Sequence, residues 1–96
     1  MEIKEHGICI VAAESKWGPN TVGIVEFKEK YDVPPEVQLT ASEEGRPIDW
    51  AMIACSVLEV TTTNLVIDFD GWKEVEGELK FQQRVFPGAK CYWVVI

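Results

Sequence analysis

Apolar residues fall in short runs separated by turn-forming residues, and the runs carry the period of strands rather than helices. "GICIVAA" (Gly7–Ala13) is an apolar run of strand length. "TVGIVEF" (Thr21–Phe27) is rich in β-branched residues, with Gly23 as a candidate bulge. "EVQLTA" (Glu36–Ala41) alternates and sets Val37, Leu39 and Ala41 on one face. "DWAMIACSVLEV" (Asp49–Val60) is longer and nearly continuous in apolar residues. Its Ala, Met and Leu also suit a helix, but its Val-rich end and the need for a long central strand favour a strand. "NLVIDF" (Asn64–Phe69) opposes Leu65, Ile67 and Phe69 to Val66 and Asp68. "LKFQQRVF" (Leu79–Phe86) alternates in part, and "CYWVVI" (Cys91–Ile96) closes the chain with aromatic and β-branched residues.

Turn signals separate the runs at Trp17–Asn20, Val33–Pro35, Glu43–Pro47, Thr61–Asn64, Asp70–Gly71 and Pro87–Gly88. Short strands at this spacing predict an all-β fold, an antiparallel β-sandwich of about six or seven strands. At 96 residues the chain is expected to be a single domain, 1–96. Its expected core is Ile10, Ile24, Phe27, Val37, Leu39, Ile53, Cys55, Val57, Leu65, Ile67, Phe69, Trp93 and Val95.

Composition narrows the partners. A net charge of −7 repels phosphate backbones and anionic headgroups, so nucleic acid and an anionic membrane are disfavoured. No stretch approaches the roughly 20 apolar residues of a membrane helix. The charged start "MEIKE" and the short apolar run after it do not read as a signal peptide, which points to synthesis in a cytoplasm.

Chemistry is sparse. No nucleophile elbow, phosphate loop or zinc-protease motif occurs, His6 is the only histidine, and Cys9, Cys55 and Cys91 lack metal-ligand spacing. The cysteines are expected as buried, reduced thiols, with one disulfide as the alternative. The carboxylates Asp68, Asp70, Glu74, Glu76 and Glu78 lie close together, and a solvated acidic rim is the simplest account of them. Neither an enzyme nor a cofactor-binding protein is expected.

One stretch carries more. In "VTTTNLVIDFDGWKE" (Val60–Glu74) a strand follows a Thr-rich turn and leads through Asp-Gly to Trp72 and Lys73. Together with "VEFKEKYDVPPEVQLTA" and "CYWVVI", this order resembles the H-type lectin domain of snail agglutinins and discoidins, which also occurs in phage tail fibres. The resemblance covers about 70 residues, from Phe27 onward. It implies a six-stranded sandwich that assembles into trimers, sometimes hexamers, with galactose-type sugars held at subunit clefts. It places Trp72 and Lys73 at the sugar, the indole to stack on a pyranose face and the ammonium to bond a hydroxyl. The chain departs from the family at Met52, which falls where the agglutinins carry a sugar-binding Arg, and in its longer interval from Trp72 to Trp93. The implied function is a carbohydrate-binding module; the alternative is a structural oligomerisation or adhesion module, of phage tail or collar type, that binds no sugar.

Overall fold

The computed structural model describes residues 2–96, and among them there is no helix. Seven strands run in order: β1 (Glu5–Ile10), β2 (Val22–Glu26), β3 (Val37–Ala41), β4 (Trp50–Val60), β5 (Asn64–Val75), β6 (Glu78–Gln82) and β7 (Lys90–Val95). They form two antiparallel sheets, as the strand-like periods predict. The smaller is β1-β7-β3; the larger is built on β5, with β4 on one flank and both β2 and β6 on the other. The sheets stack as a sandwich, with the core between them.

Alternation along β5 sets the core. Leu65, Ile67 and Phe69 are each 0% exposed and meet Trp93, Val95, Cys91 and Cys9 from the opposite sheet. Register carries the same phase outward. Gly23 and Val57 lie opposite Ile67, and Val25 and Val60 opposite Leu65. At one end Trp50 packs edge-on against Phe86, centroids 5.6 Å apart. At the other, Phe27 meets Tyr31 at 5.3 Å and Trp93 at 6.1 Å. The Glu5 carboxylate ties β1 to the β2–β3 connection by accepting from the Lys28 and Glu29 backbone N–H groups and from the Tyr31 hydroxyl. Burial disfavours its charge, but these three donors prevail and hold the carboxyl below its ordinary range.

Three expected core residues lie outside. Ile10 and Ile24 are exposed because their strands run in the opposite phase to the one assumed: Cys9 and Val25 point inward instead. Gly23 is not a bulge but sits in regular register with Ile67, and a methyl there would collide with the Cys9 sulfur. Val57 does share the inner face with Ile67, yet it is 41% exposed, since eleven-residue β4 outruns the five-residue β3 that packs beside it.

The Asp70–Gly71 turn is also corrected. β5 continues straight through it for six residues beyond Phe69, and the chain reverses at Glu76–Gly77, where both residues have positive φ (53° and 80°). That pair of left-handed residues is the signature of the tightest hairpin connection. Gly71 serves packing: a Cβ there would sit 2.5 Å from the Met52 carbonyl oxygen and 3.1 Å from the Trp50 ring. The last expected strand before the terminus is shorter than Leu79–Phe86, because the chain leaves β6 after Gln82 to bury Val85 and Phe86.

All three cysteines are free; Cys9 and Cys91 are buried, whereas Cys55 is only half-buried. Cys9 and Cys91 face each other across the β1–β7 ladder. Burial, with Cys91 alongside, pushes the Cys9 thiol up to about 11, and hydrogen bonding to Cys91 together with burial raises Cys55.

Phe69→Ala is expected to lower stability by about 3–5 kcal/mol in a denaturant titration, the range for emptying a fully buried aromatic site. Gly71→Ala is expected to destabilise by more than 1 kcal/mol, roughly the threshold that separates a backbone clash from an ordinary surface change. A thermal melt of Gly71→Ala matching the wild type would show that β5 and β4 can part without cost.

Candidate functional site

The residues expected at the sugar, Trp72 and Lys73, are neighbours on β5 and so point to opposite faces of the sheet. Trp72 is on the outer face, 41% exposed, in register with Met52 on β4 and Phe81 on β6. The indole and the Phe81 ring meet edge-to-face at 5.6 Å. Lys73 turns the other way. Its ammonium lies 3.5 Å from the Asp49 carboxylate and 5.9 Å from the centre of the Trp50 ring. The two side chains are therefore not brought to one ligand. Trp72 is also not at a loop tip, since β5 extends past it.

Arg46 is likewise committed elsewhere. Its guanidinium donates to the Trp50 and Ala51 carbonyls and pairs with Glu43. Met52 reaches the outer face beside Trp72 and carries no donor.

What the outer face does gather is a groove of about 370 Å³, lined by Trp17, Val22, Leu58, Asp68, Asp70 and Phe81 among others. Its origin is topological. Along one flank of β5, β2 pairs with Asn64 to Asp68 and β6 pairs with Gly71 to Val75. Between them that flank is left without a strand partner, and only the Phe69 N–H is taken up, by the Thr21 carbonyl at 2.9 Å. The groove opens at this notch. Asp68 and Asp70 are two residues apart on one strand, so both carboxylates stand on the outer face at the notch.

The loop between β1 and β2 supplies one wall. The Ser15 and Thr21 hydroxyls both donate to the Gly18 carbonyl at 2.9 Å, and Gly18 (φ 103°) and Asn20 (φ 54°) take left-handed backbone. This compact turn sets Trp17 at the rim of the groove, with the Lys16 ammonium 4.5 Å from its ring centre. The connection after β6 is tied to the same loop, the Val85 N–H donating to the Asn20 carbonyl at 2.9 Å.

Both carboxylates are held above their ordinary range. Burial is the larger cause for Asp68, with the Asp70 charge adding to it, and burial alone acts on Asp70. Neither forms an ion pair among the described residues. Two unpaired, partly desolvated anions beside aromatic rings make a site that accepts hydrogen bonds and offers flat apolar surfaces. Sequence reasoning singled out neither Asp68 nor Asp70 as a site, because both were counted with the acidic rim. Their i, i+2 spacing on a strand was the available signal.

Comparison with known proteins gives no assignment: no family model, no curated protein and no solved structure matches this chain.

The raised carboxyls make a prediction about stability. A carboxyl whose folded pKa lies above its unfolded value of about 3.9 binds more protons when folded, so it weakens the fold as pH rises through that interval. Asp70→Asn is therefore expected to melt higher than the wild type at neutral pH, with an advantage that shrinks as pH falls towards about 4. Melting curves offset by the same amount at every pH would contradict this.

Proposed function

We propose that the protein is a carbohydrate-binding module whose site is the groove at the β5 notch. The observation that carries the reading is the placement of the Asp68 and Asp70 carboxylates on one face, flanked by the Trp17 and Phe81 rings, with Trp72 against Phe81. A pyranose presents an apolar C–H face and a rim of hydroxyls. An exposed ring receives the first, and an ionised carboxylate accepts from two vicinal hydroxyls of the second through charge-assisted hydrogen bonds. The groove is open rather than enclosed, which suits a sugar at a chain end or within a glycan more than a small molecule that must be engulfed. The H-type lectin resemblance points to the same ligand class, with galactose and N-acetylgalactosamine as the first sugars to test. In this reading Trp72 backs the Phe81 ring that lines the groove, and Lys73 gives way to the two aspartates.

The reading carries a pH dependence. The charge-assisted bonds need the ionised carboxylates, so affinity falls on acidification, and it begins to fall at a higher pH than for an ordinary Asp because both groups are raised.

Calorimetric titration of the wild type with galactose-type sugars is expected to give dissociation constants of roughly millimolar or tighter. Asp70→Asn and Phe81→Ala should each weaken binding by about tenfold or more, equivalent to losing one charge-assisted hydrogen bond or one stacking surface. Lys73→Ala should bind as the wild type does, since its side chain points away from the groove. Absence of binding across a panel of neutral sugars would refute the reading, and a loss confined to Lys73→Ala would move the site to the other face.

A further inference from the structure

Five strands have a free edge, and four of them are short. β1 has six residues, while β2, β3 and β6 have five each. Charge guards several of these: Glu5 on β1, Glu26 on β2, and Glu78 and Lys80 on β6, while Pro34 and Pro35 stand just before β3. Shortness, charge and proline are the usual means by which a sheet edge is kept from pairing with another chain.

β4 has none of these defences. It is eleven residues long, borders the larger sheet, and hydrogen-bonds to β5 alone. It contains no proline and no lysine, and its one charged residue is Glu59, near its end. Arg46 covers the first two carbonyls, those of Trp50 and Ala51. From Met52 to Val60 no side chain and no loop of the described chain takes up the edge-facing backbone groups. Irregularities fall between Trp50 and Met52 and between Val57 and Glu59, leaving Met52–Val57 as an evenly paired stretch of six residues. Ala51, Met52, Ser56, Val57 and Leu58 are all exposed along this strand.

We propose that the Met52–Val57 edge of β4 pairs antiparallel with the same edge of a second copy, joining two four-stranded sheets into one continuous sheet of eight. The occupant is a second copy for two reasons. Antiparallel pairing of a strand with itself is closed by a two-fold axis, so the free N–H and C=O groups of both Met52–Val57 stretches are satisfied together and this edge cannot add a third copy. Charge permits the same place: a chain of net charge −7 repels its own copies over most of its surface, and β4 itself carries only Glu59, the Asp68 and Asp70 carboxylates lying one strand further in. The pairing does not depend on sugar binding.

Sedimentation equilibrium of the full chain, over roughly 5 to 200 µM, tests the pairing by mass action and is expected to show a dimer of twice 10.8 kDa. Ser56→Lys puts one ammonium from each copy beside the shared edge, on an exposed side chain whose cross-strand neighbour on β5 is Asp68. It is expected to raise the dimer dissociation constant by about tenfold or more, with an unchanged circular dichroism spectrum. Amide hydrogen exchange of the wild type adds a readout independent of any variant: protection of Met52–Val57 should rise with concentration, whereas that of β1 and β3 should not. A monomer throughout the range overturns the proposal. So does a trimer of the kind the lectin resemblance implies, or a dimer whose β4 exchange is independent of concentration.

Discussion

The structure depends on the pairing of β5 with three partners at once. Among the described residues, β5 is the one strand that pairs with β2, β4 and β6. Every buried side chain of the larger sheet takes its direction from β5, because a one-residue slip would turn Leu65, Ile67 and Phe69 to solvent and bring Asp68 and Asp70 into the core. That exchange would bury two carboxylates without counter-charges, a far larger cost than the loss of any one packing contact. The same alternation that fills the core therefore also places the two aspartates on the outer surface. Core and site are two sides of one strand.

Where patterning was strong, the chain was readable. The β-branched and aromatic runs marked all seven strands, and Leu65, Ile67, Phe69, Ile53, Trp93 and Val95 read as core and are core. Phase was harder in short runs. In "GICI" and "VGIV" apolar residues occupy both faces, so nothing local says whether Ile or its neighbour points inward. The answer lies in long-range pairing: Cys9 against Cys91, and Gly23 making room for the Cys9 sulfur. Asp70–Gly71 misled for a related reason. Asp-Gly favours a turn when nothing opposes it, but here the glycine is demanded by the Met52 carbonyl across the ladder, a contact between residues far apart in the chain.

The site was legible only in part. Trp72 could be picked out as an exposed aromatic, and it is one. Lys73 followed from the family resemblance, which sets it with Trp72 at one ligand; on a strand adjacent side chains diverge. The notch itself has no local signature. It arises because two short strands, β2 and β6, share one flank of a long one without meeting, and that follows from register across the whole sheet.

The aspartates at the notch weigh against the fold that carries them at neutral pH, since both are held partly out of water with no ion-pair partner among the described residues. An amide of the same shape would sit there at less cost. In a lineage drifting under selection for folding alone, these two positions would soon mutate to neutral residues. Their persistence in pair would record an outside demand on the surface, and the ratio of Asp to Asn at the two sites among descendants would show which copies still answer to it.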